Sequence, residues 1–188
     1  MRALLRVVGV VTLEILLAGC ASAPRPYVFH AVPAPKTYAW RASLRVRTPT
    51  AVRALDGERI LVRTGADLAL LPDVSLGDRL PEVIAADVVE TLRGAHIRAS
   101  GERESANVDF DLQLEIRVFE FDAPNKTVAV TIAAKLVALA NGRTIASKVF
   151  SARDALASSD PKAIVVALDE ALHKTLTPLT TFVAAAIH

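Results

Sequence analysis

Between Val108 and Val118 the chain alternates without exception. Val108, Phe110, Leu112, Leu114, Ile116 and Val118 are apolar, and Asp109, Asp111, Gln113, Glu115 and Arg117 between them are polar. A period of two sustained this long requires a β-strand with one face in an apolar core and the other in water. At Val118-Phe119 the phase slips, and Phe119 and Phe121 become the apolar set. A one-residue slip would turn every later side chain to the opposite face, so the spacing predicts a β-bulge there.

Such a strand needs neighbours and a cover for its apolar face. After the turn Asp122-Ala123-Pro124-Asn125, the stretch Thr127 to Leu139 keeps Val128, Val130, Ile132 and Leu136 in phase. Asn141-Gly142 then predicts a type I′ hairpin, which needs positive φ at both positions. Arg143 to Arg153 completes an antiparallel meander. Shorter strands are expected at Tyr27 to Val32, Leu44 to Arg47, Arg59 to Arg63, Leu68 to Leu71 and His96 to Ala99. Two segments have helical spacing instead. In Ser75 to Gly94, Leu80, Val83, Ile84, Val88 and Leu92 share a face, with Ser75 or Asp78 as cap and Pro81 in the first turn. The last helix starts at Ser159 or Asp160, with Pro161 at its first position, and carries the stripe Ile164, Leu168, Ala171, Leu172, Thr175, Leu179 and Phe182. Pro178 is expected to kink it or split it. These elements make an α+β domain of two layers, a mainly antiparallel sheet of about four to six strands packed against two amphipathic helices.

The only cysteine among the 188 residues is Cys20. Arg2 and Arg6 precede an apolar run from Val7 to Leu17, which ends in Leu17-Ala18-Gly19-Cys20. Positive charge, an apolar run and small residues before a cut are the layout of a secretory signal. The run is too short for a spanning helix, which takes roughly 20 apolar residues. A cysteine directly after Leu-Ala-Gly resembles the lipobox of bacterial lipoproteins. That resemblance implies removal of residues 1–19, a diacylglyceryl group on the Cys20 thiol and an acyl chain such as palmitate on its amine. Each buried CH₂ contributes about 0.8 kcal/mol, so two or three chains anchor firmly. Residues 20–26 would then be the lipidated cysteine and a tether, and 27–188 a single domain. A plain signal peptide with an incidental Cys20 is the competing reading. In Gram-negative bacteria an Asp after the lipidated cysteine usually retains a lipoprotein in the inner membrane; Ala21 resembles the outer-membrane default.

Composition closes several routes. Lys and Arg number 22 against 20 Asp and Glu; without Arg2, Arg6 and Glu14 the counts become 20 and 19, a net charge of +1. That balance gives no electrostatic case for nucleic acid. A lipidated Cys20 leaves no thiol for a disulfide or a cysteine metal site. Gly-x-Ser-x-Gly, His-Glu-x-x-His and Gly-rich strand-to-helix loops are absent, so neither an enzyme nor a cofactor is expected. His30, His96, His173 and His188 are scattered without ligand spacing and read as surface or half-buried residues. Asp109, Asp111 and Glu115 share one strand face. They could bind Ca²⁺ or work as an acid–base set, but Gln113 and Arg117 continue the same row and favour a solvated face. Arg41, Arg45, Arg47, Arg53, Arg59 and Arg63 crowd the first third. They are either a patch for anionic headgroups or an acidic partner, or outward residues on strand faces.

The stretch Leu55-Asp56-Gly57-Glu58-Arg59-Ile60-Leu61-Val62-Arg63, then Leu68-Ala69-Leu70 and Leu76-Gly77-Asp78-Arg79-Leu80-Pro81, resembles the ABC-type transport auxiliary lipoprotein family, which includes the paraquat-inducible C lipoproteins. Leu112-Gln113-Leu114-Glu115-Ile116 with Phe119-Glu120, Ala134-Lys135-Leu136-Val137 with Gly142-Arg143, and Ala167-Leu168-Asp169-Glu170-Ala171-Leu172 continue the likeness in order. The resemblance implies a non-catalytic accessory subunit of an intermembrane lipid transport system. Such a protein would be lipid-anchored in the outer membrane, facing the periplasm, and would dock the MCE-domain substrate-binding protein of an ABC transporter, with a ring of identical copies as one arrangement. The alternative is another envelope lipoprotein, such as a cell-wall-synthase activator or an assembly pilot.

Overall fold

In the computed structural model the structure describes residues 25–30, 36–38, 41–104 and 107–186. Cys20, Val32 and the expected signal lie outside them. The architecture follows from one strand. The alternating segment forms β8 (Phe110–Asp122), and β9 (Thr127–Ala138) and β10 (Arg143–Ala155) follow it as the expected antiparallel meander. The other edge of β8 is shared end to end. β2 (Ser43–Val46) pairs with it at Leu44↔Phe110, β3 (Thr50–Ala51) at Thr50↔Glu115, and β4 (Leu61–Thr64) at Leu61↔Glu120, all parallel. β5 (Asp67–Leu70) folds back on β4, and β7 (Arg98–Gly101) runs parallel to β2. Among the described residues the sheet therefore has eight strands, more than the expected four to six, because three short strands occupy one edge where a single long one would fit. The class is α+β, as expected.

Two further strands stand apart. β1 (Arg25–Tyr27) pairs parallel with β6 (Val74–Leu76), at Arg25↔Val74 and Tyr27↔Leu76. This pairing moves the start of the first helix. Ser75 sits opposite Pro26 in the ladder, so α1 is Leu80–Gly94, with Arg79 at its cap position and no side-chain cap. Ser75 and Asp78 do not serve as the expected caps. Pro81 occupies the first turn as predicted. α2 (Pro161–Ala185) starts as expected: the Asp160 carboxylate accepts hydrogen bonds from the backbone N–H groups of Lys162 and Ala163. It continues through Pro178 as one helix.

Both helices cover the same sheet face, α2 against β9 and β10 and α1 against β7 and β2. Leu112, Leu114, Ile116 and Phe119 of β8 meet Ile84, Val88 and Leu92 of α1 and Leu168, Leu172 and Leu179 of α2 in one buried cluster. Phe150 packs edge-on against Phe182, with ring centroids 5.5 Å apart. The hairpin after β9 differs from the expected type I′ turn. Of its two central residues only Gly142 has positive φ, at 68°, and its N–H donates to the Ala138 carbonyl. The loop is thus longer than two residues, and one left-handed glycine closes it.

The predicted bulge lies one step earlier than the slip in the alternation. Ile116 pairs with Ile132 and Val118 with Thr131, leaving Arg117 as the extra residue. Phe119 and Phe121 are thereby returned to the core. Deleting Arg117 should leave an unbroken ladder with Ile116, Phe119 and Phe121 still inward. That variant is expected to unfold cooperatively with a denaturant midpoint near wild type, since the exposed Glu115–Arg117 pair contributes little. Deleting Gln113 forces Leu112 or Leu114 out of the core and should abolish the cooperative transition. Parallel denaturation curves check both outcomes.

Candidate functional site

The helix-free face of the sheet holds most of the polar residues singled out above, and each has a partner of its own. Asp109 accepts from the Ser43 N–H and hydroxyl, both at 2.7 Å, which hold its carboxyl below the usual range. Asp111 is buried and takes a bidentate hydrogen bond from Arg45 at 2.8 and 3.0 Å, with Arg47 at 3.8 Å. Glu115 pairs with Arg117 at 2.9 Å. The three carboxylates do not converge, and among the described residues no group of three or more His, Cys, Asp or Glu side chains is placed to hold a metal ion. Four of the six arginines are engaged in the same way. Besides Arg45, Arg47 pairs with Glu102, Arg63 makes two hydrogen bonds to the mostly buried Glu120 at 2.6 and 2.8 Å, and Arg59 donates to the Leu71 carbonyl. Arg45 and Arg63 tie β2 and β4 to β8. Arg41 and Arg53 are exposed.

Between these pairs and the β9–β10 edge runs an open groove of about 710 Å³, lined by Arg47, Thr50, Gln113, Glu115, Lys135, Ser147 and Val149 among others. Its lining mixes both charge signs. It suits a polar surface better than an apolar small molecule, which favours pockets lined by apolar and aromatic groups. A second groove of about 650 Å³ lies between β10 and the C-terminal half of α2, with Ala146, Lys148, Pro178 and Phe182 in its walls.

A third cluster joins the N-terminal segment to both helices. Phe29, just past β1, is buried against Phe119, with centroids 5.7 Å apart. The next residue, His30, is exposed and donates from Nδ1 to the buried Asp169 carboxylate of α2 at 2.9 Å. Its carbonyl accepts from His173 Nε2 at 2.8 Å, and that nitrogen lies 3.2 Å from Asp169. A carbonyl can only accept, so His173 carries its proton on Nε2. Asp87 of α1 is buried in the same region, and its Oδ2 has no hydrogen-bond partner. Burial pushes its carboxyl up to about 7; the neighbouring Asp169 pushes the same way, and His173 and His30 oppose it. The Tyr27 phenol is also raised, by burial and by Asp169. The sequence had placed the histidines as surface or half-buried residues, which His30 and His173 are. It could not bring them together, because His30 and Asp169 are 139 positions apart. Cys20, the expected lipid attachment site, lies outside the described residues, five positions before β1.

The model of the ABC-type transport auxiliary lipoprotein component matches residues 27–178, from β1 to most of α2. The chain belongs to this family. A crystal structure of the protein XCC0632 from Xanthomonas campestris is 25% identical and superposes with a TM-score of 0.74, covering 86% of this chain and 94% of that one. Another crystal structure, of an uncharacterized protein, shares the fold at a TM-score of 0.66 with 10% identity, covering 85% of this chain and 99% of that one. An uncharacterized protein of Bradyrhizobium diazoefficiens is 30% identical over 142 residues, 74% of this chain and 38% of that protein. This chain thus spans well under half the length of that relative. The family is described as an auxiliary lipoprotein component of ABC-type transport. No helix among the described residues is long and apolar enough to cross a membrane.

The Asp87 cluster makes a pH prediction for this family member. Its folded pKa of about 7 lies above the ordinary carboxylate value. The folded chain therefore holds a proton that the unfolded chain releases from about pH 4 upward, and stability falls as pH rises, until the folded pKa is passed. Asp87→Asn keeps the shape and removes the titration. The stability of the wild type relative to this variant should fall between pH 5 and 7 by up to about 1.4 kcal/mol per pH unit, and level off above that. Denaturant unfolding across that range checks it; parallel profiles for the two proteins would refute it.

Proposed function

We propose that this chain is a non-catalytic accessory subunit of an MCE and ABC-type intermembrane lipid transport system, anchored through acyl chains on Cys20 in the outer membrane and docking the MCE-domain protein from the periplasmic face. The observation that carries this reading is the position of the family match. It begins at residue 27, seven residues after the cysteine of Leu17-Ala18-Gly19-Cys20. On this reading Cys20 is the lipid attachment, residues 21–26 are a very short tether, and a folded body begins at residue 27. The polar sites of that body agree with the reading, since the carboxylates and arginines of the wet face are engaged in holding strands together.

The same reading has room for a ring of identical copies. β10 is a thirteen-residue edge strand, and Ile145 and Val149 are exposed along it. Long edges with apolar side chains favour pairing with another chain.

Affinity capture of the full acylated chain from detergent-solubilised envelopes is expected to recover an MCE-domain protein. Recovery of peptidoglycan enzymes without any MCE protein would favour a cell-wall activator instead. Cys20→Ala should release the chain from the membrane fraction into the soluble periplasmic fraction. Full retention in the membrane fraction would refute the acyl anchor.

A further inference from the structure

The short path from Cys20 to the fold keeps the start of β1 close to a bilayer that holds the Cys20 acyl chains. Five peptide links separate Cys20 from Arg25, so Arg25 lies within about 18 Å of the acylated residue. β1 runs from that point into the domain, and β6 runs parallel beside it. The N-terminal end of β6, and the Leu71-Pro72-Asp73 turn that leads into it, therefore lie on the anchor side. β5 enters that turn. Leu70 is four residues before Val74, the partner of Arg25, which keeps its Cα within about 20 Å of Arg25.

At this end Leu68 and Leu70 are 47% and 53% exposed, two residues apart on one face of β5. All four residues of β5 are exposed, and among the described residues its only strand partner is β4. Leucines on an unpaired edge invite association. The area is too small for a protein partner, however: four residues fall far short of the roughly 800 Å² per side that a stable interface uses. A lipid surface has no such requirement once the domain is already tied to it.

We propose that the β4–β5 hairpin is a membrane-surface contact, with Leu68 and Leu70 seated at the headgroup–acyl boundary of the bilayer that holds the Cys20 acyl chains. The proposal rests on the acyl anchor of the preceding subsection. The free N–H and C=O groups on the outer edge of β5 set its depth, because unpaired backbone is excluded from hydrocarbon but tolerated among headgroups. Asp67 at the start of β5 and Asp73 in the turn act in the same direction, keeping the hairpin at the surface.

The test uses the full acylated chain in phosphatidylethanolamine–phosphatidylglycerol vesicles. With Cys20 acylated, Leu70→Cys provides the single thiol for a nitroxide label, and Leu139→Cys, also at an exposed position, is the control. On vesicles the label at 70 should show an oxygen-to-aqueous-reagent collision ratio at least about five-fold above its value in solution, with the label at 139 unchanged. Leu68→Ser with Leu70→Ser should still float with vesicles and keep the wild-type unfolding midpoint, but lose the vesicle-induced slowing of amide exchange in residues 67–70. A chain that floats while the label at 70 stays aqueous overturns the hairpin contact and leaves the anchor standing. Shielding at 70 that is equal without vesicles and accompanied by a doubled mass assigns the leucines to a second copy and also overturns it. A chain that does not float and keeps a reactive Cys20 thiol overturns both.

Discussion

The rest of the fold depends on β8 being used on both faces and both edges at once. Its apolar row, from Leu112 to Phe121, is the floor on which both helices sit. Its polar row would cost stability if left bare, because the parallel strands beside it bury part of it. Asp111 and Glu120 are largely buried, and a buried carboxylate is tolerated only when paired and hydrogen-bonded. Arg45 and Arg63 supply the pairing from β2 and β4. The same contacts set register: sliding β2 by one residue would bring Arg45 to the core side, turn Leu44 to the wet side, and leave Asp111 buried without its guanidinium. Removing one partner of such a pair is more costly than never having built it, so these ion pairs act as registration pins more than as sources of net stability.

This explains which features could be read from the sequence. The meander was legible because each of its strands is long enough to show its period, and because its connections are local. The bulge was legible to within a residue, since a phase slip must be absorbed somewhere; the extra residue proved to be Arg117, which can stay on the wet side. Of the parallel strands, β2, β4 and β7 were located but not their pairing, and β3 was missed, because two to four residues carry no information about what lies beside them. β6 was missed for a related reason. Leu76 and Ser75 look like a helix entry until the distant β1 takes them into a ladder. Asn141-Gly142 promised a two-residue turn, but only Gly142 takes the left-handed conformation, which a longer loop also needs.

The polar clusters divide along the same line. Asp109, Asp111 and Glu115 were visible as a row; the solvated-face reading holds for the exposed Asp109 and Glu115, whereas Asp111 is buried under its pairing with Arg45. The cluster around Asp169 left no trace in the sequence. Nothing about Asp87 in a helical stretch marks it as buried, since its neighbours Ala86 and Glu90 are exposed. Only the crossing of α1 and α2 beneath the N-terminal segment brings Asp87, Asp169, His30 and His173 within electrostatic reach.

The N-terminal segment itself matters more than its length suggests. β1 is hydrogen-bonded to β6, Phe29 is buried against Phe119, and His30 is bound to α2, all within six residues. A pull on Arg25 would thus reach β6 and, through His30, α2 directly. Asp87, whose Oδ2 has no hydrogen-bond partner among the described residues, lies in the helix pair below this segment, so its charge state bears on how the segment meets the core. A segment held this way keeps one fixed orientation against β6, β8 and α2.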